Sequence, residues 1–216
     1  MDFGRLSGND AINTRIYECF RNIDPRDIRK FVRKLRKEND NQRFHTFREL
    51  IFGAELATRG LKPRYEQALG SVTPDWAIYD ERCIAKEIVD VVTLHPRYDI
   101  DQGITKTVGT GAVWTGWITT APNRLYSKLQ DKFGAYSTYA ENGCVAFVVA
   151  LFSEFMSPLD ASEIDHVLTQ VHGGLFRDYP TVSGLVHFEY REGAYRFSGF
   201  ANAAAPVQSE IVGLFF

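Results

Sequence analysis

VTPDWAIYDERCIAKEIVDVV, residues 72–92, is the stretch on which the reading of this chain turns. It holds two short apolar runs, Trp76 to Tyr79 and Cys83 to Val92, joined by the turn-forming Asp80, Glu81 and Arg82. The pattern predicts a β-hairpin. Its first strand is entered through Pro74, and its second is long enough to run into the interior of a sheet. Two carboxylates do not suit a purely structural hairpin. Asp75 stands where the first strand begins, and Glu87 sits among Ile84, Ala85, Ile88, Val89, Val91 and Val92. A carboxylate inside a buried strand is costly unless it is paired or holds a metal. Two strands that bring carboxylates together suit a hard cation, since Mg2+ and Mn2+ prefer oxygen ligands and keep water in the remaining positions.

Outward from the hairpin, the chain is ordinary in composition. Its 216 residues suit one large domain, or one domain with an appendage. An apolar fraction of 44% and a charged fraction of 24% fit a soluble globular protein. A net charge of −2 and a pI near 6.2 give no global attraction to nucleic acid, so any such binding needs a local patch. Cys19, Cys83 and Cys144 are scattered and lack zinc-ligand spacing, which points to reduced thiols in a cytoplasmic protein. The apolar run at residues 144–152 is too short to span a bilayer, and no signal-type N-terminus is expected.

Four helical patterns flank the hairpin. Residues 11–21 suit a short helix. Asp24-Pro25 is a good helix start, and over 26–38 Ile28, Phe31, Val32 and Leu35 share one face. The remaining faces carry Arg29, Lys30, Arg33, Lys34 and Lys37. These read either as phosphate contacts or as a solvated charged face. A helix over 44–59 is closed by Gly60 and carries Glu49 and Glu55; another over 123–141, capped by Asn123, precedes the core strand at 144–152. Between hairpin and fourth helix, the Gly- and Thr-rich residues 100–122 read as a long excursion, with Lys106, Trp114 and Trp117 at the mouth of the site. A short helix over 162–171 and a hairpin of strands 182–189 and 194–200 complete the chain.

Pro74-Asp75, a hairpin, and Glu87 together resemble the signature of PD-(D/E)XK nucleases, the restriction endonuclease-like superfamily. The resemblance covers residues 44–152. It implies an α/β fold: a mixed central sheet of four or five strands flanked by helices, with an N-terminal helical extension (1–42) before the nuclease-like domain (43–216) and a C-terminal β-hairpin. It also implies that Asp75, Glu87 and the Ile88 carbonyl hold Mg2+ or Mn2+. Glu49, in a stretch similar to the family's E-L-x(5)-L-x(3)-G, would be a third acid, with Glu55 as the fallback. The family's lysine should stand two residues after Glu87, where this chain has Val89; Lys86 points to the opposite strand face. Some members place the replacement on the following helix, which nominates Lys132, with Lys128 and Gln130 behind it. The implied partner is nucleic acid, DNA first, and many proteins of this fold act as homodimers.

Competing chemistries find little support. The five histidines lack an HExxH or other metal spacing, and no GxSxG elbow or P-loop is present. Three readings remain: metal-dependent phosphodiester hydrolysis with Glu49, Asp75, Glu87 and Lys132 as the catalytic set; a degenerate nuclease fold that binds nucleic acid or a protein without cutting; and an unrelated α/β domain.

Overall fold

The computed structural model describes residues 4–37, 40–94, 121–153, 159–170 and 173–216. Most of the excursion, with Lys106, Trp114 and Trp117, lies outside them, as do His95 and Asn39; the side chain of the expected cap Asn123 does too. The chain folds as α/β. Six strands, β1 (Arg64–Tyr65), β2 (Trp76–Tyr79), β3 (Ala85–Leu94), β4 (Ala146–Ser153), β5 (Val182–Arg191) and β6 (Ala194–Ala201), lie side by side in chain order. The sheet is mixed. β3, β4 and β5 run parallel, and β1–β2, β2–β3 and β5–β6 are antiparallel pairs. The two central strands are buried on both faces, as a parallel sheet covered on both sides demands: all eight residues of β4 are buried.

One face is covered by α1 (Asp10–Phe20), α2 (Pro25–Lys37) and α3 (Asp40–Thr58), the other by α4 (Ala121–Gly143), α5 (Ala161–Thr169) and α6 (Leu175–Asp178). The expected N-terminal extension is therefore no appendage. Ile16 and Phe20 of α1 and Phe31 and Leu35 of α2 share one apolar core with Leu50 and Phe52 of α3 and with Val89 and Val148 of the sheet. Position 53 on α3 must be glycine. A β-carbon there would lie 1.9 Å from the ring of Trp76, whose indole N–H donates to the Glu49 carbonyl at 2.9 Å. Trp76 is wholly buried, so this contact locks the first hairpin strand under α3. A last short helix, α7 (Glu210–Gly213), which the sequence pattern did not announce, packs on the α3 side through Ile211 and Val212.

The hairpin itself departs from the sequence reading in one respect that matters. Its turn is longer than Asp80-Glu81-Arg82. The Asp80 carboxylate accepts from the Arg82 and Ile84 N–H groups, and Cys83 takes a left-handed φ of 60°. β3 consequently starts at Ala85 rather than Cys83, and an irregularity at Ile78/Tyr79 adds to the shift. Trp76 pairs with Val89, Ala77 with Ile88 and Ile78 with Glu87. One step further in this register puts Asp75 opposite Asp90, not opposite Glu87.

Candidate active site at the end of the hairpin

A three-residue shift changes the face as well as the position, because side chains alternate along a strand. Ala77, Ile88 and Val92 lie in the α4-side core, and Val89 and Val91 in the α3-side core. Asp90 thus points toward α4, and Glu87 points the other way. The structure therefore does not bring Glu87 to Asp75. Its carboxylate caps α7 instead, accepting from Ser209 Oγ at 2.6 Å and from the Glu210 and Ile211 N–H groups at 3.2 and 3.3 Å. A carboxylate at a helix N-terminus meets unpaired donors and a favourable dipole. With Glu87 turned away, the Ile88 carbonyl also loses its expected role: Ile88 is fully buried mid-strand, paired with Ala77 and Phe147.

Pro74 and Asp75 end the β2–β3 ladder. The residue opposite Val91 in this register is Pro74, which has no N–H to give. The Val91 N–H donates instead to Asp75 Oδ2 at 2.7 Å. In a strand the N–H and C=O of one residue face the same neighbour, so the Val91 carbonyl also looks toward the Asp75 side. Asp75 and Asp90 occupy a non-hydrogen-bonded pair, the position where opposed side chains approach most closely.

α4 delivers the cation. Lys132 Nζ lies 2.6 Å from Asp90 Oδ2, and the Tyr136 hydroxyl donates to Asp90 Oδ1 at 3.0 Å. Lys128, one turn earlier, donates to the Thr93 carbonyl at 3.0 Å. Residues 128, 132 and 136 thus form one stripe along the end of β3, spaced four apart as one helix face requires. Burial alone would lower the Lys132 pKa, but the bond to Asp90 and the charges of Asp75 and Glu49 carry it above its ordinary value. Lys128 goes the other way, lowered by burial and by the charges of Lys132 and Arg124.

Glu49 comes from α3, on the opposite face of the sheet. It is 2% exposed and fully engaged: the Tyr65 hydroxyl donates to Oε2 in a short bond, Lys34 Nζ lies 3.4 Å from Oε2, and His45 Nε2 lies 3.2 Å from Oε1. Burial raises its pKa against the pull of Lys34. Asp75 is raised further, by burial first and then by the negative charges of Glu49 and Asp90. Each of these acids feels the next, so three carboxylates and Lys132 form one electrostatic cluster at the sheet end. The fallback Glu55 is not in it; Glu55 pairs with Arg59 at 2.8 Å. Beside the cluster, His45, Val91, Val92, Thr93, Lys128 and Lys132 line an open cleft of about 410 Å³.

The basic helix is only partly available. Lys30 donates to the Tyr65 and Glu66 carbonyls at 2.5 and 3.0 Å, and Lys34 is held by Glu49, Tyr65 and Glu66. These two lysines brace β1 and Glu49, and do not form a phosphate-binding pair. Arg29, Arg33 and Lys37 remain on the exposed face.

Among the described residues, no group of three or more His, Cys, Asp or Glu side chains is drawn together as a metal cage. Two opposed carboxylates and a carbonyl on the same strand edge nonetheless match the donors Mg2+ uses in phosphate chemistry, one or two carboxylates with water and substrate oxygens completing the shell. Asp75, Asp90 and the Val91 carbonyl fit that requirement; Glu87 and Ile88 do not.

No family model matches the chain, and no curated protein does. Among solved structures, a chain of the CdiA-CT/CdiI toxin and immunity complex from Burkholderia pseudomallei superposes with a TM-score of 0.35 and 13% identity, covering 74% of this chain and 89% of that one. Among the described residues, no helix is long and apolar enough to cross a membrane.

The sequence did hold a sign of Asp90. An acid within Ile88-Val89-Asp90-Val91-Val92 is as anomalous as Glu87, and Asp80 at the turn, able to cap Arg82 and Ile84, hinted at a longer loop.

Proposed function

We propose that this protein is a metal-dependent phosphodiester hydrolase acting on nucleic acid, built on the PD-(D/E)XK plan with Asp90 as its second acid. The observation that carries the reading is the Asp75–Asp90 pair facing one another beyond the end of β2, with Lys132 on Asp90. In this assignment Asp75, Asp90 and the Val91 carbonyl would hold Mg2+ or Mn2+. When bound, the ion would lower the pKa of a water and offset charge on the scissile phosphate. The family's lysine belongs two residues after the acid, and that position is Val92. Lys132 supplies the missing cation from α4, and the neighbouring acids keep it protonated, suited to binding a phosphate oxygen. Glu49, braced by Tyr65, Lys34 and His45, adds negative charge beside Asp75 and holds His45 at the mouth of the cleft. Arg29, Arg33 and Lys37 give the flanking backbone a positive surface on an otherwise net-negative chain.

A second reading has its own observation. Lys132 already neutralises Asp90, and among the described residues no third ligand side chain joins the pair, an arrangement that equally suits a nuclease fold that binds nucleic acid or a protein without cutting. A cleavage panel separates the two. Linear, supercoiled, single-stranded and branched DNA and RNA are incubated with Mg2+ or Mn2+, with Asp75→Ala and Asp90→Asn beside the unmodified protein. Metal-dependent cutting lost in both variants supports hydrolysis. Absence of cutting on every substrate, with metal bound by calorimetry, supports the binding module.

A further inference from the structure

Lys128 and Lys132 stand one turn apart on α4 and line the same cleft, yet their partners differ in kind. Lys132 faces the Asp90 carboxylate at 2.6 Å, whereas Lys128 donates to a neutral acceptor, the Thr93 carbonyl, at 3.0 Å. Among the described residues no carboxylate pairs with Lys128. The charges that act on it are positive, those of Lys132 and Arg124, and together with burial they lower its pKa. Asp131 also lines the cleft, but it is exposed and makes no ion pair with Lys128. An ammonium held among like charges on the wall of an open cleft attracts an anion.

The strand beside it supplies a second donor. β2 ends at Trp76, and Asp75 occupies the edge of β3 as far as Val91. Thr93 lies two residues on, so its N–H and C=O face the same edge as those of Val91. The Thr93 carbonyl meets Lys128 there. Beyond that point, no strand among the described residues pairs with this side of β3. Lys128 and the Thr93 N–H therefore share one open edge, with His45 across the cleft, its Nδ1 3.2 Å from Thr93 Oγ1.

Their place relative to the metal donors says which anion this is. Lys128 and Lys132 are four residues apart, about 6 Å along α4. The β3 residues they reach, Thr93 and Asp90, are three apart, about 10 Å of strand. That is the scale of one nucleotide step on a backbone whose scissile phosphate sits at Asp75 and Asp90. We propose that Lys128 and the Thr93 N–H bind the backbone phosphate next to the scissile one, so that the substrate carries at least two consecutive phosphates; this rests on the phosphodiester reading above. A phosphate gives Lys128 a charged partner and accepts the strand N–H with another oxygen. A lone phosphodiester between two nucleosides leaves this position empty.

The test uses three minimal substrates with Mg2+: the thymidine dinucleotide TpT, and pTpT and TpTp, which add one terminal phosphate on either side. The uridine set runs beside them. By kcat/KM, the unmodified protein should cut one of the two phosphorylated forms about tenfold faster than TpT or more, the worth of one charge-assisted hydrogen bond. Lys128→Met should level the three rates, and Lys128→Arg should keep the preference. A lysine that merely tethers the strand end would change all three substrates alike. No preference in the unmodified protein, or one that survives Lys128→Met, overturns the proposal. If nothing is cut, anisotropy of labelled oligo(dT) and oligo(U) in Ca2+ decides. Lys128→Met should then lower the slope of log affinity against log salt by about 0.7, one phosphate contact on a single strand. That change refutes only the hydrolase and leaves the subsite standing; an unchanged slope, or no binding at all, overturns the subsite.

Discussion

Replacing Asp90 with Asn and, separately, Glu87 with Gln tests the register on which the site depends. The two acids lie three residues apart on one strand, and the structure gives them opposite duties. Asp90 faces Asp75 and Lys132, so Asp90→Asn removes a metal-ligand charge and the partner of the ammonium. Losing several kcal/mol of charge stabilisation in the transition state corresponds to a rate loss of about 10³-fold. Glu87 accepts from three donors at the start of α7, and an amide there turns an N–H2 group toward N–H donors. One buried donor left unsatisfied costs about 2 kcal/mol. For a protein of this size that lowers Tm by about 4–8 °C. The assay is single-turnover cleavage on the best substrate of the panel beside thermal melting by circular dichroism, run well below the Glu87→Gln midpoint. The expected pattern is crossed: Asp90→Asn inactive and folded, Glu87→Gln active and less stable. An inactive Glu87→Gln with unchanged melting, alongside an active Asp90→Asn, would sink the register argument and restore the pairing that the turn residues alone suggest.

Lys132→Met should cut cleavage by about 10²–10³-fold, and Lys132→Arg should recover part of it, read by the same single-turnover assay. Gly53→Ala forces a β-carbon into the Trp76 indole and should destabilise by about 3 kcal/mol, seen as a lower denaturation midpoint with unchanged m-value. Burial pushes His187 down to about 4 from an ordinary 6.5, so the stability present above pH 6.5 is lost as pH falls toward 4, by about 3 kcal/mol. His187→Gln should flatten that part of the stability–pH curve, and an unchanged profile would refute it. Asp75 is raised by burial and by Glu49 and Asp90, so its contribution is present at low pH and lost as pH rises. Asp75→Asn should therefore melt higher than the unmodified protein at pH 8, with the advantage gone at pH 4.

Much of the architecture was legible because its determinants are local. The 3.6-residue spacing of Ile28, Phe31, Val32 and Leu35 gave α2, and Arg191-Glu192-Gly193 between alternating runs gave the β5–β6 hairpin. Pro74-Asp75 marked where the ladder ends, since a residue without an N–H cannot continue it. The family resemblance together with helix position nominates Lys132, and the structure sets its ammonium on a carboxylate. The choice between Glu87 and Asp90 was not legible in the same way. It hangs on whether the turn closes over three residues or five, and Asp80 decides that through side-chain bonds and a left-handed Cys83. A shift of three reverses every side chain of β3, so a small error in turn length moves an acid from one face to the other.

The fates of Lys30 and Lys34 follow the same division. Their spacing placed them on the charged side of α2, but only the packing of α2 against β1 put Tyr65 and Glu66 within their reach. By itself, the sequence determined helices, strands and the breaks between them, because these follow from backbone conformation and the period of apolar residues. Tertiary structure alone decided which acids meet, because that depends on register and on crossings between elements far apart in the chain.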